Sequence, residues 1–528
     1  MRVAGELAEL PDPPVPLWRR PLTRRRLSML ELSLRMERIA RDPRARGAVL
    51  DLRPGTIPPA RQQALRHQVQ SLRGAGKRVV FWASHYTAGG YHVACAADEV
   101  LIQPGGSLGP LGLHQQYMFL GAGLERAGIR ADLIRVGPYK TAGDTLTEAA
   151  MSAEMREMVE WLASDVHTQL LEAFEQGRHL SREAVEALVE ASPLTDEEAL
   201  EAGAVDGILS EEALPAHLGD GRPARLREWS AARRTLRKPP PDRPGRRIAI
   251  LPVQGLIVDG ESARSPLPPP RGVPFLFSPR TGDLTLARQA RRLAADRRVA
   301  AVVLHVDSQG GSAAASEAMT SALAALAARK PLVAAMGSVA ASGGYYVTCA
   351  AREVTAWPGT VTGSIGVLGG KVVYGALLDR LSVREEEVKR GRHAGMFRSA
   401  EPFTEEERDR VRRSVERSYR VFLERVAAAR RMEPAEVDAV GRGRVYTGSQ
   451  AQGRRLVDGL GGLPEAIARA SRLAGLGEGR AVRVVNAGGG PATPAGAAAL
   501  LTYPLESFEA LSGPPLLCLS SLLVEDRL

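Results

Sequence analysis

The chain has 528 residues, of which 44% are hydrophobic and 25% are charged, a composition typical of folded globular proteins. A chain of this length exceeds one ordinary domain core, so two domains or a duplicated one are expected. The net charge of +10 is concentrated in arginine-rich stretches that we interpret as solvated basic segments. No zinc-knuckle spacing or aromatic-rich basic stripe is present, so a nucleic-acid partner is not expected, while an anionic membrane surface is the alternative partner.

Residues 1–25 form a segment rich in proline and arginine, which predicts loose order. This segment has no apolar run of the kind found in a signal peptide. The sequence also contains no window of 18 uncharged apolar residues, so no transmembrane helix is predicted. We therefore expect a cytoplasmic protein, or one held peripherally at a membrane.

Residues 26–225 alternate between helical patterns and short apolar strands, and 226–247 are a basic, proline-rich stretch typical of a linker. The nearly continuous apolar run IAILPVQGLIV, Ile248–Val258, predicts a buried strand that opens a second unit over 248–475. A proline-rich loop within 266–282 interrupts this unit. A tail follows over 476–528.

The two units repeat each other. SHYTAGGYHVACAA, Ser84–Ala97, matches SVAASGGYYVTCAA, Ser338–Ala351, and AVLDL, Ala48–Leu52, matches VVLHV, Val302–Val306. Strands that alternate with helices predict right-handed crossovers and a largely parallel sheet. The predicted fold class is therefore α/β, with two tandem repeats whose sheets are flanked by helices.

One difference between the copies concerns chemistry. Ser342 in the second copy faces Ala88 in the first, so the scaffold tolerates alanine where the second copy has a hydroxyl. The serine is a candidate nucleophile, with a helix N-cap as the alternative. In HVDSQGGS, Gly310 and Gly311 follow a predicted strand and could direct backbone N–H groups at an oxyanion, with a simple tight turn as the alternative.

A nucleophilic serine needs a base. Neither His305 nor His393 has an acid at a fixed spacing that could orient it, whereas a Ser-Lys pair is a known variant of the catalytic triad. Lys140 in LIRVGPYKTAGDTLT is the candidate, because its counterpart in the second unit is Ala394 or Arg398 and neither can accept a proton. The first repeat thus keeps a base and the second keeps the hydroxyl, which predicts one site built from both repeats.

Ser107 in GGSLG matches the G-x-S-x-G pattern of a nucleophile elbow. The elbow requires a helix directly after the serine, and here Pro110 and Gly112 follow. We therefore exclude Ser107 as the nucleophile. Cys95 and Cys349 occupy equivalent apolar positions in the two repeats and are interpreted as buried structural thiols.

Across roughly residues 30–475 the chain resembles the long, duplicated form of the signal peptide peptidase A family, bacterial serine proteases with a Clp-protease/crotonase-like fold. The stretches that carry the resemblance are YKTAGD (Tyr139–Asp144), DSQGGS (Asp307–Ser312), AASGGYY (Ala340–Tyr346), TGSIGV (Thr362–Val367) and GRVYTG…LVDGLGG (Gly443–Gly462). One departure lies in the second stretch, where Gln309 stands in place of the proline common in the family.

The resemblance implies a serine endopeptidase with Ser342 as nucleophile and Lys140 as general base. It also implies an oxyanion hole from the N–H groups of Gly310 and Gly343. Ser364 is the candidate to hydrogen-bond the lysine amine, with a turn serine as the alternative. Neither a metal nor a cofactor is implied.

The implied substrates are extended, apolar peptides such as remnant signal peptides, and the implied assembly is a homo-oligomer, a tetramer for the duplicated form. Two other functions stay open. One is a non-proteolytic crotonase-like acyl-CoA enzyme that uses the glycine-rich loop without a nucleophile. The other is a catalytically silent, membrane-associated scaffold.

Overall fold

The computed structural model describes residues 1–3, 7–11, 27–52, 57–237, 245–263, 279–476, 485–486 and 517–519. Most of the predicted N-terminal segment 1–25, of the loop predicted within 266–282 and of the tail predicted over 476–528 lies outside these residues. Within the described ranges, no helix is both long enough and apolar enough to cross a membrane.

The first part of the chain alternates strands with helices, as the repeat pattern predicts. In chain order the elements are β1 (Arg2–Val3), α1 (Met29–Arg41), β2 (Gly47–Leu52), α2 (Pro59–Gly74), β3 (Arg78–Tyr86), α3 (Ala88–Ala94), β4 (Glu99–Leu108), α4 (Gly121–Ala127), β5 (Arg130–Val136), α5 (Asp144–Thr147), α6 (Ala153–Arg178), α7 (Arg182–Ala191), β6 (Leu194–Thr195), α8 (Asp196–Glu201), β7 (Gly207–Ile208), α9 (Leu214–His217) and α10 (Trp229–Thr235).

The second part repeats this alternation. Its elements are β8 (Arg247–Val258), β9 (Arg280–Gly282), α11 (Asp283–Ala295), β10 (Val299–Ser312), α12 (Ala313–Ala327), β11 (Leu332–Ala341), α13 (Gly343–Thr348), β12 (Glu353–Ala356), β13 (Val361–Gly363), β14 (Val367–Val373), α14 (Gly375–Arg380), α15 (Glu405–Arg430), α16 (Pro434–Val440), β15 (Val445–Thr447), α17 (Gly448–Gly453), β16 (Gly459–Leu460), α18 (Leu463–Leu473), β17 (Val485–Asn486) and β18 (Leu517–Leu519).

The contacts divide the described chain into two compact units. The first comprises described residues of Met1–Gln115 and Ala163–Asp242, and the second those of Gln116–Leu162 and Arg243–Glu525. Residues 116–162 fall within the first repeat of the sequence and yet belong to the second unit. The lysine and the serine singled out above therefore lie in the same compact unit.

The described strands of the first unit form one sheet in the order β1-β2-β3-β4-β6, with β7 also on β4. All of these pairs are parallel except β4 with β6. Helices α1 and α2 each bury apolar side chains. These include Leu32 and Met36 of α1 and Leu65 and Val69 of α2. This unit has the predicted α/β class with a mostly parallel sheet.

The sheet of the second unit has a parallel core, in which β8, β10 and β11 pair side by side. Their apolar residues are almost fully buried, because helices cover both faces of such a sheet. The strand predicted at Ile248–Val258 is confirmed as part of β8. Beyond the core the order continues β10-β18-β14-β5, and each of these last pairs is antiparallel.

The pairing of β5 with β14 explains why residues 116–162 join the second unit. It runs in antiparallel register from Arg130 opposite Val373 to Val136 opposite Val367. On the side of β5, Asp132 accepts hydrogen bonds from the backbone N–H of Phe403 at 2.8 Å and from Arg408 at 2.5 Å. The strand is thus bound both by its backbone and by a buried carboxylate.

Matching contacts in the two units reflect the duplication. In the first unit Asp206 pairs with Arg178 and accepts from the backbone N–H of Val100 at 2.7 Å. In the second unit Asp458 pairs with Arg430 in the same way and accepts from the N–H of Val354 at 2.7 Å. In each repeat, an aspartate paired with an arginine therefore binds the backbone of a strand.

The structure modifies two local expectations. Within the linker predicted over 226–247, Trp229–Thr235 form the helix α10, and the guanidinium groups of Arg35 and Arg38 lie 5.3 Å and 5.6 Å from the ring centroid of Trp229. The sequence predicts the Gly310–Gly311 pair in a loop that follows a strand. Instead the strand continues through both glycines to Ser312, with positive φ angles of 108° and 152° that favour glycine.

Replacing Asp132 by alanine is expected to destabilise the chain by about 1–3 kcal/mol, because the N–H of Phe403 and the guanidinium of Arg408 lose their acceptor. Urea-unfolding midpoints measure the change. The control is Asp220→Ala, which removes an exposed ion pair with Arg46 and should cost well under 1 kcal/mol. Equal effects of the two substitutions would contradict the role assigned to Asp132.

Candidate active site

Ser342 lies between the end of β11 and the start of α13. Its N–H donates to the carbonyl of Gly363 at 2.8 Å, and its own carbonyl accepts from Tyr346 at 2.8 Å. The residue is fully buried and has φ 55° and ψ −116°, a conformation that costs a non-glycine residue about 1–3 kcal/mol. Its hydroxyl makes no capping hydrogen bond to α13, so the N-cap alternative does not account for this serine.

Lys140 reaches this hydroxyl from the turn after β5. Its side chain is only 1% exposed, and Nζ lies 2.7 Å from Oγ of Ser342. Ser364, which follows β13, places its Oγ and its carbonyl oxygen 3.0 Å each from the same Nζ. The structure therefore brings together three predicted site residues, Ser342, Lys140 and Ser364, within one compact unit.

The three contacts of Nζ define a direction for the amine. A neutral amine has two N–H bonds and one lone pair. If both N–H bonds point at the two oxygens of Ser364, the lone pair faces the hydroxyl of Ser342. This arrangement can accept the serine proton, which is the task of a general base.

The first unit shows what the same segment does without the hydroxyl. Ala88 lies inside α3, and Thr87 caps that helix by accepting from the N–H of Gly90 at 3.2 Å. The corresponding helix of the second unit starts one residue after Ser342. The loss of the hydroxyl in the first unit thus goes together with an ordinary capped helix.

The comparisons with known proteins follow the same division. The model of "Peptidase family S49" matches residues 71–221 and 324–477. The chain belongs to peptidase family S49. It is 30% identical over 464 residues to "Serine protease SPPA, chloroplastic" of Arabidopsis thaliana, with 85% of this chain and 66% of that protein covered.

The chain is also 30% identical over 457 residues to "Protease 4" of Salmonella typhi, with 81% of this chain and 69% of that protein covered. It thus spans about two thirds of the length of these relatives. Membership of the S49 family and the names of the relatives support a serine peptidase. They also confirm the resemblance found in the sequence, and the two matched regions agree with the predicted duplication.

Among solved structures, the chain is similar to "ClpP1 N165D mutant from Listeria monocytogenes". The two are 10% identical with a TM-score of 0.25, and the match covers 41% of this chain and 94% of that chain.

Two glycine pairs meet beside the S49 candidate nucleophile. A Cβ on Gly343 would lie 2.6 Å from Oγ of Ser316 and 3.2 Å from Cα of Gly310, and a Cβ on Gly344 would lie 2.4 Å from the carbonyl oxygen of Ser308. Side chains at these positions would push the two segments apart. The close approach of α13 to the Gly310 segment therefore depends on glycine.

The N–H of Gly310, a predicted oxyanion donor, is engaged in this structure. It donates to Oγ of Ser308 at 3.1 Å, and that hydroxyl in turn donates to the carbonyl of Gly255 at 2.5 Å. Gly343 is the first residue of α13, where the backbone N–H has no acceptor within the helix. Ser308 is a functional candidate that the sequence pattern did not single out.

A cavity of about 470 Å³ borders Lys140. Its walls include charged residues of β5 and of the segment after it, among them Arg130, Asp132, Arg135 and Asp144. Asp144 is already paired with Arg135 at 2.5 Å and accepts from Ser152 at 2.8 Å. The cavity offers a largely polar space next to Lys140.

The cysteines, Ser107 and His393, which the sequence did not favour as site residues, have different surroundings. Burial raises the pKa of Cys95 and that of Cys349 to about 12 each, which disfavours the reactive thiolate. Ser107 lies in β4 and contacts Nδ1 of His85 at 2.8 Å. His393, the alternative base, has Nε2 3.2 Å from a carboxylate oxygen of Glu406.

A fluorophosphonate probe is expected to label Ser342 of the native chain, as tryptic mass spectrometry would detect. Lys140→Ala should slow the labelling at least about a hundredfold, because the serine loses the group that accepts its proton. Lys389→Ala, which removes an exposed lysine, is the control and should label at the native rate. Labelling of Ser107, or unchanged labelling of Lys140→Ala, would contradict this interpretation.

Proposed function

We propose that the chain is a serine endopeptidase of family S49 in which Ser342 is the nucleophile and Lys140 the general base. The observation that carries the proposal is the distance of 2.7 Å between Nζ and Oγ in a buried setting. A lysine can act as a base only when its amine is neutral, and burial of an ammonium group disfavours the charged form.

In the proposed reaction, neutral Lys140 takes the proton of Ser342 while Oγ attacks the carbonyl carbon of the scissile bond. The tetrahedral intermediate collapses when the C–N bond breaks and the lysine returns the proton to the leaving amine. Water then attacks the resulting ester while Lys140 accepts a proton from that water. The C–O bond to Ser342 breaks, and Lys140 returns the proton to Oγ. The overall change is addition of one water molecule across one peptide bond.

We assign the oxyanion hole to the backbone N–H groups of Gly310 and Gly343. Gly343 supports this assignment by its position at the start of α13, directly after the nucleophile. The N–H of Gly310 would turn from Oγ of Ser308 to the oxyanion when substrate binds. Catalytic hydrogen bonds in a free enzyme are often poorly aligned and tighten only in the substrate complex.

An extended peptide is the substrate form that the strand arrangement supports. The short strand β18 pairs in antiparallel register with Gly310–Ser312 and also with Leu368 of β14. This pairing of the chain's own β18 supports binding of an extended segment beside the proposed oxyanion strand, as in recognition by strand addition. A substrate peptide that follows the same path would replace this segment.

Two finer features remain predictions of the family resemblance. They are assembly into a homo-oligomer, a tetramer by that resemblance, and contact with a membrane surface. Remnant signal peptides are likewise the substrates that the resemblance suggests.

Ser342→Ala and Lys140→Ala are each expected to lower cleavage of an internally quenched peptide at least about a thousandfold, because each removes one half of the dyad. Circular dichroism should show an unchanged fold. Ser107→Ala is the matched serine control and should keep native activity.

The same series separates the rival functions. An acyl-CoA enzyme without a nucleophile would keep its activity in Ser342→Ala, and a silent scaffold would show no cleavage with the native chain. Near-native cleavage by Lys140→Ala would overturn the proposed dyad.

Ser364→Ala is expected to lower kcat about tenfold to a hundredfold, since Nζ loses one of two groups that direct its lone pair. Ser364 has a φ of 52°, so alanine at this position also carries backbone strain. Ser364→Gly removes the hydroxyl without that strain and should lose activity to a similar extent. Full activity of the glycine variant would contradict an orienting role for the hydroxyl.

A further inference from the structure

Lys140 is packed against a tight turn, Arg442–Arg444, that also contacts the Ser364 segment. The N–H of Tyr139 donates to the carbonyl of Arg442 at 3.1 Å. On the other side, the N–H of Gly443 donates to the carbonyl of Ile365 at 2.8 Å, and the N–H of Ser364 donates to the carbonyl of Arg444 at 2.7 Å. The turn therefore links the lysine segment to the serine that contacts its amine.

The close contact between Gly443 and Lys140 leaves no space for a side chain at residue 443. Gly443 has a φ of +85°, and a Cβ built on it would lie 2.4 Å, 2.6 Å and 2.7 Å from N, Cα and Cβ of Lys140. A Cβ on Gly366 would lie 3.1 Å from Cδ of the same lysine. Any shift of the turn would thus be passed directly to Lys140.

The side chain of Arg444 contacts both Tyr139 and Glu157. Its guanidinium lies 3.7 Å from the ring centroid of Tyr139, and Nη2 donates to Glu157 at 2.8 Å. The hydroxyl of Tyr139 donates to the other oxygen of the same carboxylate at 2.9 Å. The hydrogen bonds from Arg444 and Tyr139 lower the pKa of Glu157, and the bond to Glu157 raises the pKa of Tyr139. Both shifts favour the charge states that this triangle needs.

We propose that Arg444 is a positioning residue of the active site: its guanidinium, stacked on Tyr139 and paired with Glu157, holds the backbone that aims Lys140 at Ser342. The inference rests on the proposed dyad. The side chain of Arg444 acts on the lysine through Tyr139, the residue that precedes it, and also lies 5.3 Å from the ring centroid of Trp161. Its stack is one that a planar guanidinium makes and that a lysine ammonium reproduces poorly.

Positioning matters here because a lysine side chain is long and has many rotamers. The distance from Nζ to Oγ is 2.7 Å only while the Cα of Lys140 stays in place. A displacement of about 1 Å at a reacting group can cost about a hundredfold in rate. A fixed backbone at Tyr139 therefore supports the rate of the proposed reaction.

The test compares Arg444→Gln and Arg444→Lys with the native chain. Active sites are counted by titration with a fluorophosphonate probe, so that kcat is expressed per competent site. Arg454→Gln is the matched control, because Arg454 also lies over Trp161, at 4.4 Å, and over Tyr446, at 5.0 Å. Its guanidinium donates to the carbonyl of Gln450 at 3.0 Å, whereas that of Arg444 donates to Glu157. Melting temperatures show whether each variant folds.

Arg444→Gln is expected to lower kcat per site at least about tenfold while KM changes less than about twofold. The acidic limb of its pH profile should move to higher pH, because a loosely held lysine is more exposed to water and more readily protonated. Arg444→Lys should lie between this variant and the native chain. Arg454→Gln should match the native kcat per site and pH profile.

A double-mutant cycle tests whether Arg444 affects the rate through Tyr139. In a Tyr139→Ala background, Arg444→Gln should lower kcat less than about twofold further. The inference is overturned if the two substitutions multiply, or if Arg444→Gln keeps the native pH profile and kcat per site. Failure of the dyad would be recognised separately, since Lys140→Ala would then retain cleavage.

Discussion

The antiparallel pairing of β5 with β14 is the interaction on which the site depends. Lys140 follows β5 in the chain and belongs to the first sequence repeat, whereas Ser342 and Ser364 belong to the second. Because β5 joins the sheet of the second unit, all three side chains lie in one compact unit. The chain thus brings its candidate catalytic groups together because a strand of the first repeat joins the sheet of the second unit.

Much of the fold could be predicted from periodicity. The apolar run at Ile248–Val258 indicated a buried strand, and the repeated glycine-rich segments indicated equivalent strand–helix turns in the two units. The destination of β5 could not be predicted in this way. Its sequence, RADLIRV, mixes apolar and charged residues over a short, half-buried strand, and this pattern does not specify which sheet the strand joins. That choice is made by long-range contacts, such as the one from Asp132 to Arg408.

The candidate site shows the same limit. Comparison of the two copies singled out Ser342 and Lys140, because each repeat lacks what the other has. It did not identify Arg444, Glu157 or Ser308, whose roles arise from stacking and hydrogen bonds between segments far apart in the chain. The motif GRVYTG was recognised as part of the family resemblance, yet its residue types alone do not indicate a contact with the residue before the lysine.

The difference between Ser342 and Ala88 also concerns the backbone strain of the two equivalent segments. Ser342 keeps a positive φ angle, which works against stability, and its buried hydroxyl contacts Lys140 and does not cap its helix. The equivalent segment of the first unit has a capped helix and alanine in that position, so the fold does not require the strained form. A strained conformation persists where surrounding contacts enforce it, and here those contacts run from Gly363 to the backbone of Ser342 and from Lys140 to its hydroxyl. Of these two equivalent segments, only the one in the unit that holds Lys140 has the strained form, which is the distribution expected if chemistry, and not folding, maintains it.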